Sequence, residues 1–306
     1  MLNASIVRKD NTTEYDTDGF PPSFEVYKWI IYPLTVFCSL CGLVGNGMVI
    51  WILTSCTKRN PFTTYILNLA IADFGTLLSL SARVIILAID NPYTLVYELV
   101  DSLTFFTYST SLYFLTAISL ERCISVLFPI WFRCQRQRRT SAVVSLLLWI
   151  VSGLLSGTLL VFDNLWLIFD NLSYETYLNV LNTIFTINLL ILTPIMVGST
   201  FIMSIRICRK SQRRQPPRLY IAILVTLLFF IIFAIPLSVT YFILLNGGPF
   251  YDLIYESSFL LASFNSSINP IIYYFVGRCR NRQRRESLKF VLQQVFKDEA
   301  DLREGN

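Results

Sequence analysis

Long apolar windows without charged side chains alternate along the chain with short charged segments. Six windows contain no Lys, Arg, Asp or Glu, and a seventh contains only Asp73. In chain order the windows are Trp29–Thr57, Asn60–Ala82, Ser102–Leu120, Thr140–Phe162, Thr176–Ile205, Leu219–Tyr251 and Ser257–Gly277. Each is about as long as the roughly 20 residues that an α-helix needs to cross a bilayer core, or longer. Seven buried helices would leave a soluble protein without an amphipathic shell, so the pattern predicts an all-α membrane protein, a seven-transmembrane helix bundle.

Basic residues indicate the orientation of these seven spans. Twenty-one of the 25 Lys and Arg residues lie on one side, in the loops after spans one, three and five and in the segment after span seven. Cytoplasmic loops carry an excess of Lys and Arg, so this side is predicted to be cytoplasmic and the N-terminus extracellular. Sequons at Asn3, Asn11 and Asn171 fall on the predicted outer face, where N-glycosylation occurs. The pattern favours a multi-pass protein of the plasma membrane.

Three regions follow from the change in composition along the chain. Residues 1–27 are polar and acidic and are predicted to form a disordered, glycosylated extracellular tail. Residues 28–277 form the seven-transmembrane domain, and residues 278–306 form a cytoplasmic amphipathic helix and tail. The apolar positions of that helix recur at helical spacing, at Leu288, Val291, Leu292, Val295 and Phe296. We expect it to lie on the inner leaflet of the bilayer, with an ordinary soluble helix as the alternative.

Composition excludes most catalytic classes. The chain is 54% hydrophobic and 15% charged, against about 25% charged residues in a soluble domain. It has no histidine, which excludes Ser-His-Asp and Cys-His hydrolases and zinc sites built on His. We therefore expect no enzyme, no cofactor and no nucleic-acid partner. A channel or transporter remains a remote alternative, although only Asp73, Arg83 and Glu121 bring charge into or beside the spans and no internal repeat is found.

Asp73 lies in the middle of span two, where a charged group is costly and therefore a candidate for function. Polar residues of spans one, three and seven are expected at similar depth: Asn46, Ser111, Asn265 and Asn269. Their oxygens would suit an allosteric sodium ion, or a proton and water. The alternative is a protonated Asp73 that neighbouring Asn side chains satisfy without an ion.

Arg83 lies ten residues beyond Asp73, about 15 Å further outward on an α-helix. Asp101, at the outer start of span three, is a plausible partner. Arg83 could receive a ligand carboxylate, or it could form an internal salt bridge or extend to the membrane interface. The sequence leaves these alternatives open.

The cytoplasmic end of span three and three prolines complete the set of landmarks. Glu121-Arg122 follows span three, where one interpretation is a charge pair at a helix end. Pro194, Pro236 and Pro270 interrupt spans five, six and seven, and each allows a kink or hinge. Three consecutive helices with prolines around a polar centre indicate a bundle built to move.

Together these residues resemble the rhodopsin-like, class A G-protein-coupled receptors. The resemblance covers every span: Gly45-Asn46, Leu69-Ala70 with Asp73, Glu121-Arg122-Cys123, Trp149, Pro194, Pro236 and Asn269-Pro270-Ile271-Ile272-Tyr273. Within that class, the stretch from Leu115 to Cys134 is similar to the Mas and Mas-related receptors. The run from Arg59 to Thr63 and the segment from Asn265 to Tyr273 point the same way.

The resemblance implies roles for individual residues. Arg122 would engage the heterotrimeric G protein, of the Gq or Gi class, while Glu121 would hold Arg122 in the resting state. Tyr273 would swing inward as span six moves outward, and arrestin is a further expected partner. Pro194, Leu112 and Phe230 would form a relay beneath the ligand, and the Asp73 cluster would match the sodium site of the class.

Departures from the family pattern affect the extracellular side and the core. The usual cysteine at the top of span three and the alternative disulfide between spans four and five are both missing. Ala234 stands where the class has a tryptophan before the span-six proline, and Ile202 replaces a tyrosine of span five. We therefore expect a shallow pocket and a switch driven by other packing.

The outer face indicates a cationic peptide or a small amine as the extracellular ligand. Thirteen of the 20 acidic residues lie on it, and such a field steers cations. The residues expected to line the pocket are Asp101, Thr104, Tyr108, Asp163, Glu175, Tyr241 and Glu256. One alternative is that these acids merely solvate the loops, and another is a small anionic or nucleobase-like ligand held by Arg83.

Overall fold

The computed structural model describes residues 27–55, 61–89, 95–128, 140–168, 183, 190–203, 205–206, 225 and 251–278. The longer described segments are helices, and each corresponds to one of the predicted spans. Span one is Tyr32–Ser55, preceded by a π-helical turn at Tyr27–Ile31. Spans two, three, four and seven are Pro61–Ala88, Leu95–Leu127, Thr140–Ile168 and Tyr251–Arg278. Span five is helical over Leu190–Met203. Apart from Val225, span six lies outside the described residues, as do the N-terminal tail with its sequons and the cytoplasmic amphipathic helix.

Four of the described helices are long and apolar enough to cross a bilayer. These stretches are Trp29–Ser55, Thr63–Ala88, Leu95–Ser125 and Thr140–Thr158. Span seven is 28 residues long but less apolar, because buried Ser and Asn side chains occupy its inner face. Its length still exceeds the roughly 20 residues that a crossing requires.

The outward faces of the helices are apolar. Trp29, Phe37 and Trp51 of span one are exposed, as are Leu78 of span two and Leu154 of span four. A soluble monomer rarely exposes such a continuous apolar surface. In a bilayer these side chains contact lipid, and the polar residues turn inward.

The structure extends span three beyond its charge-free window. The window begins at Ser102 and ends at Leu120, whereas the helix runs from Leu95 to Leu127. Glu121 and Arg122 therefore lie within the helix, and both are buried against the bundle. Hydropathy marks the part of a helix that meets hydrocarbon, whereas the helix itself continues as long as its backbone hydrogen bonds do.

Span two is the central helix of the described part of the bundle. It packs against spans one, three, four and seven, while span three also packs against span four and span one against span seven. Trp149 of span four donates from Nε1 to Asn68 Oδ1 of span two at 2.9 Å. The Trp149 ring also packs against Phe106 and Phe114 of span three, at centroid distances of 5.5 and 6.0 Å. These contacts hold the polar residues of span two at fixed depth.

Spans one and seven approach each other closely at Gly42. Ser267 Oγ donates to the Cys38 carbonyl at 2.9 Å, across the two helices. A Cβ atom at Gly42 would lie 2.7 Å from Leu77 Cδ1 and would also overlap Ser267. Only glycine fits here, because side chains of two neighbouring helices already fill the space.

We expect Gly42→Ala to destabilise the receptor by about 1–3 kcal/mol, the usual cost of overpacking a filled core. Gly157→Ala is the matched control, since a Cβ atom at Gly157 of span four meets nothing within 4 Å. The measurement is thermal unfolding of both variants in lipid nanodiscs. Equal midpoints for the two variants would contradict the close packing of spans one and seven.

Candidate functional site

Three charged residues meet near the outer ends of spans two, three and seven, and we call them the outer ion cluster: Arg83, Asp101 and Glu256. Arg83 Nη1 donates to Glu256 Oε2 at 2.9 Å, and Nη2 donates to Oε1 at 2.9 Å. Arg83 Nε donates to Asp101 Oδ1 at 3.2 Å. The contact with Glu256 is a two-pronged pairing of guanidinium and carboxylate, the strongest geometry that this ion pair adopts.

Aromatic side chains enclose the guanidinium of Arg83. Its Cζ atom lies 4.0 Å from the centroid of the Phe259 ring, and 5.5 Å from that of Tyr255. Tyr97 accepts a further hydrogen bond from Nη2 at 3.3 Å. Cation–π contact of this kind favours arginine over lysine, because the flat guanidinium stacks on rings while donating in its own plane.

The outer ion cluster carries one more negative charge than positive charge when its groups are ionised. The Arg83 side chain is 1% exposed and that of Glu256 is 10% exposed, whereas the Asp101 side chain is 33% exposed. The excess charge therefore reaches the surface at Asp101. Arg83 forms the internal salt bridge that the sequence left open as one of its alternatives. Its main partner is Glu256, and the expected partner Asp101 accepts one further hydrogen bond.

The other residues expected to line the pocket do not belong to the outer ion cluster. Thr104 and Tyr108 lie on span three and are buried, and Thr104 Oγ1 donates to the Val100 carbonyl at 2.8 Å. Asp163 lies near the C-terminal end of the span-four helix. Glu175 and Tyr241 lie outside the described residues.

Asp73 forms a polar centre between spans two, three and seven. Ser111 Oγ donates to Asp73 Oδ1 at 2.6 Å, and Asn269 Nδ2 donates to Oδ2 at 2.7 Å. All three side chains are buried. Asn46 is buried too, but its amide nitrogen donates to the carbonyls of Gly42 and Ser266, both at 3.0 Å.

The polar centre contains oxygen atoms suited to a hard cation. Asn269 Oδ1 is buried and has no hydrogen-bond partner among the described residues. Asn265 is buried as well, and its amide nitrogen has no partner within the same part of the chain. A carboxylate beside an unpartnered amide oxygen fits the oxygen ligands that sodium or an ordered water takes.

The landmarks of the receptor class on spans three and seven lie on the inner faces of their helices. Arg122 and Glu121 are buried in span three, and Tyr273 is buried in span seven. Pro270 lies within the continuous span-seven helix. Pro194 lies within the span-five helix, at an exposed position. Phe230 and Pro236 lie outside the described residues.

The pairing of Arg83 with Glu256 was not predicted, although the sequence holds a signal for it. Asp73 and Asn269 contact each other, so they define a common depth for the antiparallel spans two and seven. Arg83 lies ten residues after Asp73 and Glu256 thirteen residues before Asn269, about 15 and 20 Å outward at 1.5 Å per residue. Counting outward from one contact would therefore have placed the two opposite charges at similar height.

Comparison with known proteins identifies the family of this chain. Residues 45–273 match the family described as "7 transmembrane receptor (rhodopsin family)". The chain is 39% identical to Mas-related G-protein coupled receptor member D of Macaca fascicularis, over 90% of this chain and 88% of that protein. It is 39% identical to proto-oncogene Mas of Rattus norvegicus, over 93% and 88% of the two chains. It is 38% identical to the human Mas-related G-protein coupled receptor member X1, over 89% and 84%.

These matches extend over most of the chain and include every described span. They confirm the seven-transmembrane fold and the resemblance to the Mas-related receptors, and they exclude an enzyme, a channel and a transporter as the class of this protein. The chain belongs to the rhodopsin family of G-protein-coupled receptors, within its Mas-related group, and is a multi-pass receptor of the plasma membrane.

Proposed function

We propose that this receptor responds to a cationic peptide or a small amine that binds from the extracellular side near Asp101. The observation that carries the proposal is the uncompensated negative charge of the outer ion cluster. Arg83 neutralises one of two carboxylates, and the exposed third of Asp101 offers the other charge to the outside. A ligand ammonium or guanidinium group would complete the charge balance there.

The acidic outer face supports the same ligand class. Thirteen of the 20 acidic residues belong to this side of the chain, including Asp163 and Glu175. A field of one sign raises the association rate of ligands with the opposite charge. Neutral and anionic ligands gain no such advantage.

A small anionic or nucleobase-like ligand held by Arg83 is disfavoured. All three guanidinium nitrogens of Arg83 already donate to Glu256, Asp101 or Tyr97. The side chain is 1% exposed. A ligand carboxylate would have to displace Glu256 from Arg83. Breaking a buried ion pair of this kind costs about 3–5 kcal/mol.

The test is a screen of cationic peptides and small amines in cells that report both calcium and cAMP. We expect Asp101→Asn to lower the potency of the agonists found by about tenfold or more, the effect of removing a carboxylate that pairs with a ligand cation. Charge reversal at Asp163 and Glu175 should lower potency further.

The matched control for this screen is Glu98→Gln. Glu98 lies in the first turn of the span-three helix, three residues before Asp101, and its change removes the same charge. It contacts none of the outer ion cluster through a described hydrogen bond. Unchanged potency of every agonist in Asp101→Asn would contradict the proposed ligand class.

We also propose that activation follows the pattern of the receptor class. Span six would move outward, Tyr273 would turn inward, and Arg122 would contact the C-terminal helix of a Gq or Gi protein. The support is the burial of Arg122 at the cytoplasmic end of span three together with the basic loops on that side. Simultaneous recording of calcium and cAMP separates the two G-protein classes, and arrestin recruitment is a third readout.

For the polar centre we propose that sodium, held by Asp73 with Asn269 and Ser111, stabilises the resting receptor. We expect sodium to weaken agonist binding in the wild type and to have no effect in Asp73→Asn, because the ion loses its carboxylate ligand. Agonist affinity would be measured in sodium chloride and in N-methylglucamine chloride at equal ionic strength. The same sodium response in both proteins would contradict the site.

A further inference from the structure

We infer that Glu256 is a positioning residue, which keeps Asp101 available to a cationic ligand by holding the guanidinium of Arg83 away from it. This inference rests on the proposed function, because Asp101 is the carboxylate assigned there to the ligand. It gives Glu256 a role other than the direct ligand contact expected from the sequence.

The hydrogen bonds of Arg83 differ between its two carboxylate partners. Both terminal nitrogens donate to Glu256 at 2.9 Å, whereas Asp101 receives only the Nε donor at 3.2 Å. A two-pronged contact is stronger and more directional than a single one. Glu256 therefore takes most of the charge of Arg83, and Asp101 keeps an oxygen without an Arg83 donor.

The surroundings of Arg83 reinforce this division. The centroid of the Phe259 ring lies 4.0 Å from Arg83 Cζ. Tyr97 accepts a hydrogen bond from Arg83 Nη2, the nitrogen that also donates to Glu256. Stacking and in-plane hydrogen bonds together limit the orientation of the guanidinium. Asp101 is the accessible member of the cluster, at 33% exposure against 10% for Glu256.

Removing the charge of Glu256 should change the partner of Arg83. A buried guanidinium needs a counter-ion, and Asp101 is the other carboxylate that contacts Arg83 among the described residues. In Glu256→Gln, Arg83 would therefore pair with Asp101 and neutralise it. Removing both charges in Arg83→Gln/Glu256→Gln would release Asp101 again and restore the single excess negative charge.

The first experiment measures binding of a defined probe to the full-length receptor in phosphatidylcholine nanodiscs. The probe is a fluorescent peptide amide of alternating arginine and leucine, and its counterpart replaces each arginine with neutral citrulline. We expect Glu256→Gln to weaken binding of the arginine peptide about tenfold or more, and the double variant to return it to within about threefold of wild type. Binding of the citrulline peptide should not differ between the variants.

Glu98→Gln is the control for loss of one acidic charge outside the cluster. If Glu256→Gln and Glu98→Gln weaken the arginine peptide equally, the field of the outer face explains the loss and the positioning role is overturned. If the double variant binds as weakly as Glu256→Gln, the role of Arg83 is overturned. A merely structural role of Glu256 would not be rescued by a second substitution.

The second experiment needs no ligand. Thermal unfolding midpoints in nanodiscs are compared for Asp101→Asn in the wild type and in the Glu256→Gln background. We expect a clearly larger decrease in the second background, because there Asp101 is the main counter-ion of Arg83. Equal decreases would overturn the change of partner. If the arginine peptide fails to bind the wild type, the proposed ligand class is contradicted. The thermal comparison still shows whether Arg83 changes its partner from Glu256 to Asp101.

Discussion

Arg122→Ala is expected to reduce agonist-driven nucleotide exchange to the rate measured without agonist. Arg122 is buried in the cytoplasmic part of the span-three helix, which continues to Leu127. In the proposed mechanism its five N–H donors contact the C-terminal helix of a G protein once span six has moved outward. Exchange is measured with purified G protein and receptor in nanodiscs. Arg122→Lys should restore only a part of the rate, because lysine keeps the charge and loses the planar fork.

The control for Arg122→Ala is Arg206→Ala. Arg206 is helical and follows the described stretch of span five, is exposed, and contributes one positive charge to the same side of the membrane. We expect this variant to retain most of the agonist-driven rate. Full agonist-driven exchange by Arg122→Ala, at equal receptor amount, would show that Arg122 does not have the role proposed here.

Arg83→Ala is expected to destabilise the receptor by about 3–5 kcal/mol, since it leaves the buried carboxylate of Glu256 without its counter-ion. The bond lost is the two-pronged contact with Glu256, in a site closed by Phe259. Thermal unfolding in nanodiscs and the fraction of receptor at the cell surface should both decrease. This is the largest effect on stability that we expect from a single substitution in the described bundle.

Two further variants test the cause of that loss. Replacing all three charges, in Arg83→Met/Asp101→Asn/Glu256→Gln, should recover most of the stability, because no buried charge then lacks a partner. Arg206→Ala removes an exposed arginine and should change the midpoint little. A midpoint for Arg83→Ala as high as that for Arg206→Ala would mean that the outer ion cluster contributes nothing to folding.

Hydropathy predicted the spans well because the transfer of a side chain from water to hydrocarbon depends mainly on that side chain. Windows of uncharged residues therefore marked the membrane helices, and basic loops marked the cytoplasmic side. The same argument identified Asp73 and Arg83 as costly residues in need of partners. Motifs distributed over every span identified the receptor family, which the comparisons confirm.

The ends of the helices and the close contacts between them were less accessible to sequence reasoning. The window of span three ended at the first charged pair, yet Glu121 and Arg122 are buried within the helix. Gly42 has no side chain, so it contributes nothing to the pattern of hydrophobic and polar positions. Its lack of a Cβ atom nevertheless allows spans one and seven to pack closely. Such contacts depend on the rotation and separation of two helices, which neither helix encodes alone.

By itself the sequence determined the seven-span architecture, the orientation, the receptor family and the residues that need polar partners in the membrane. The tertiary structure decided which partner each of them has. Arg83 could have paired with a ligand, with Asp101 or with the interface, and only the packing of spans two and seven brings Glu256 to its terminal nitrogens at 2.9 Å. The physical reason is that burial is a property of one residue, whereas a hydrogen bond requires two groups from distant parts of the chain to meet within about 3 Å.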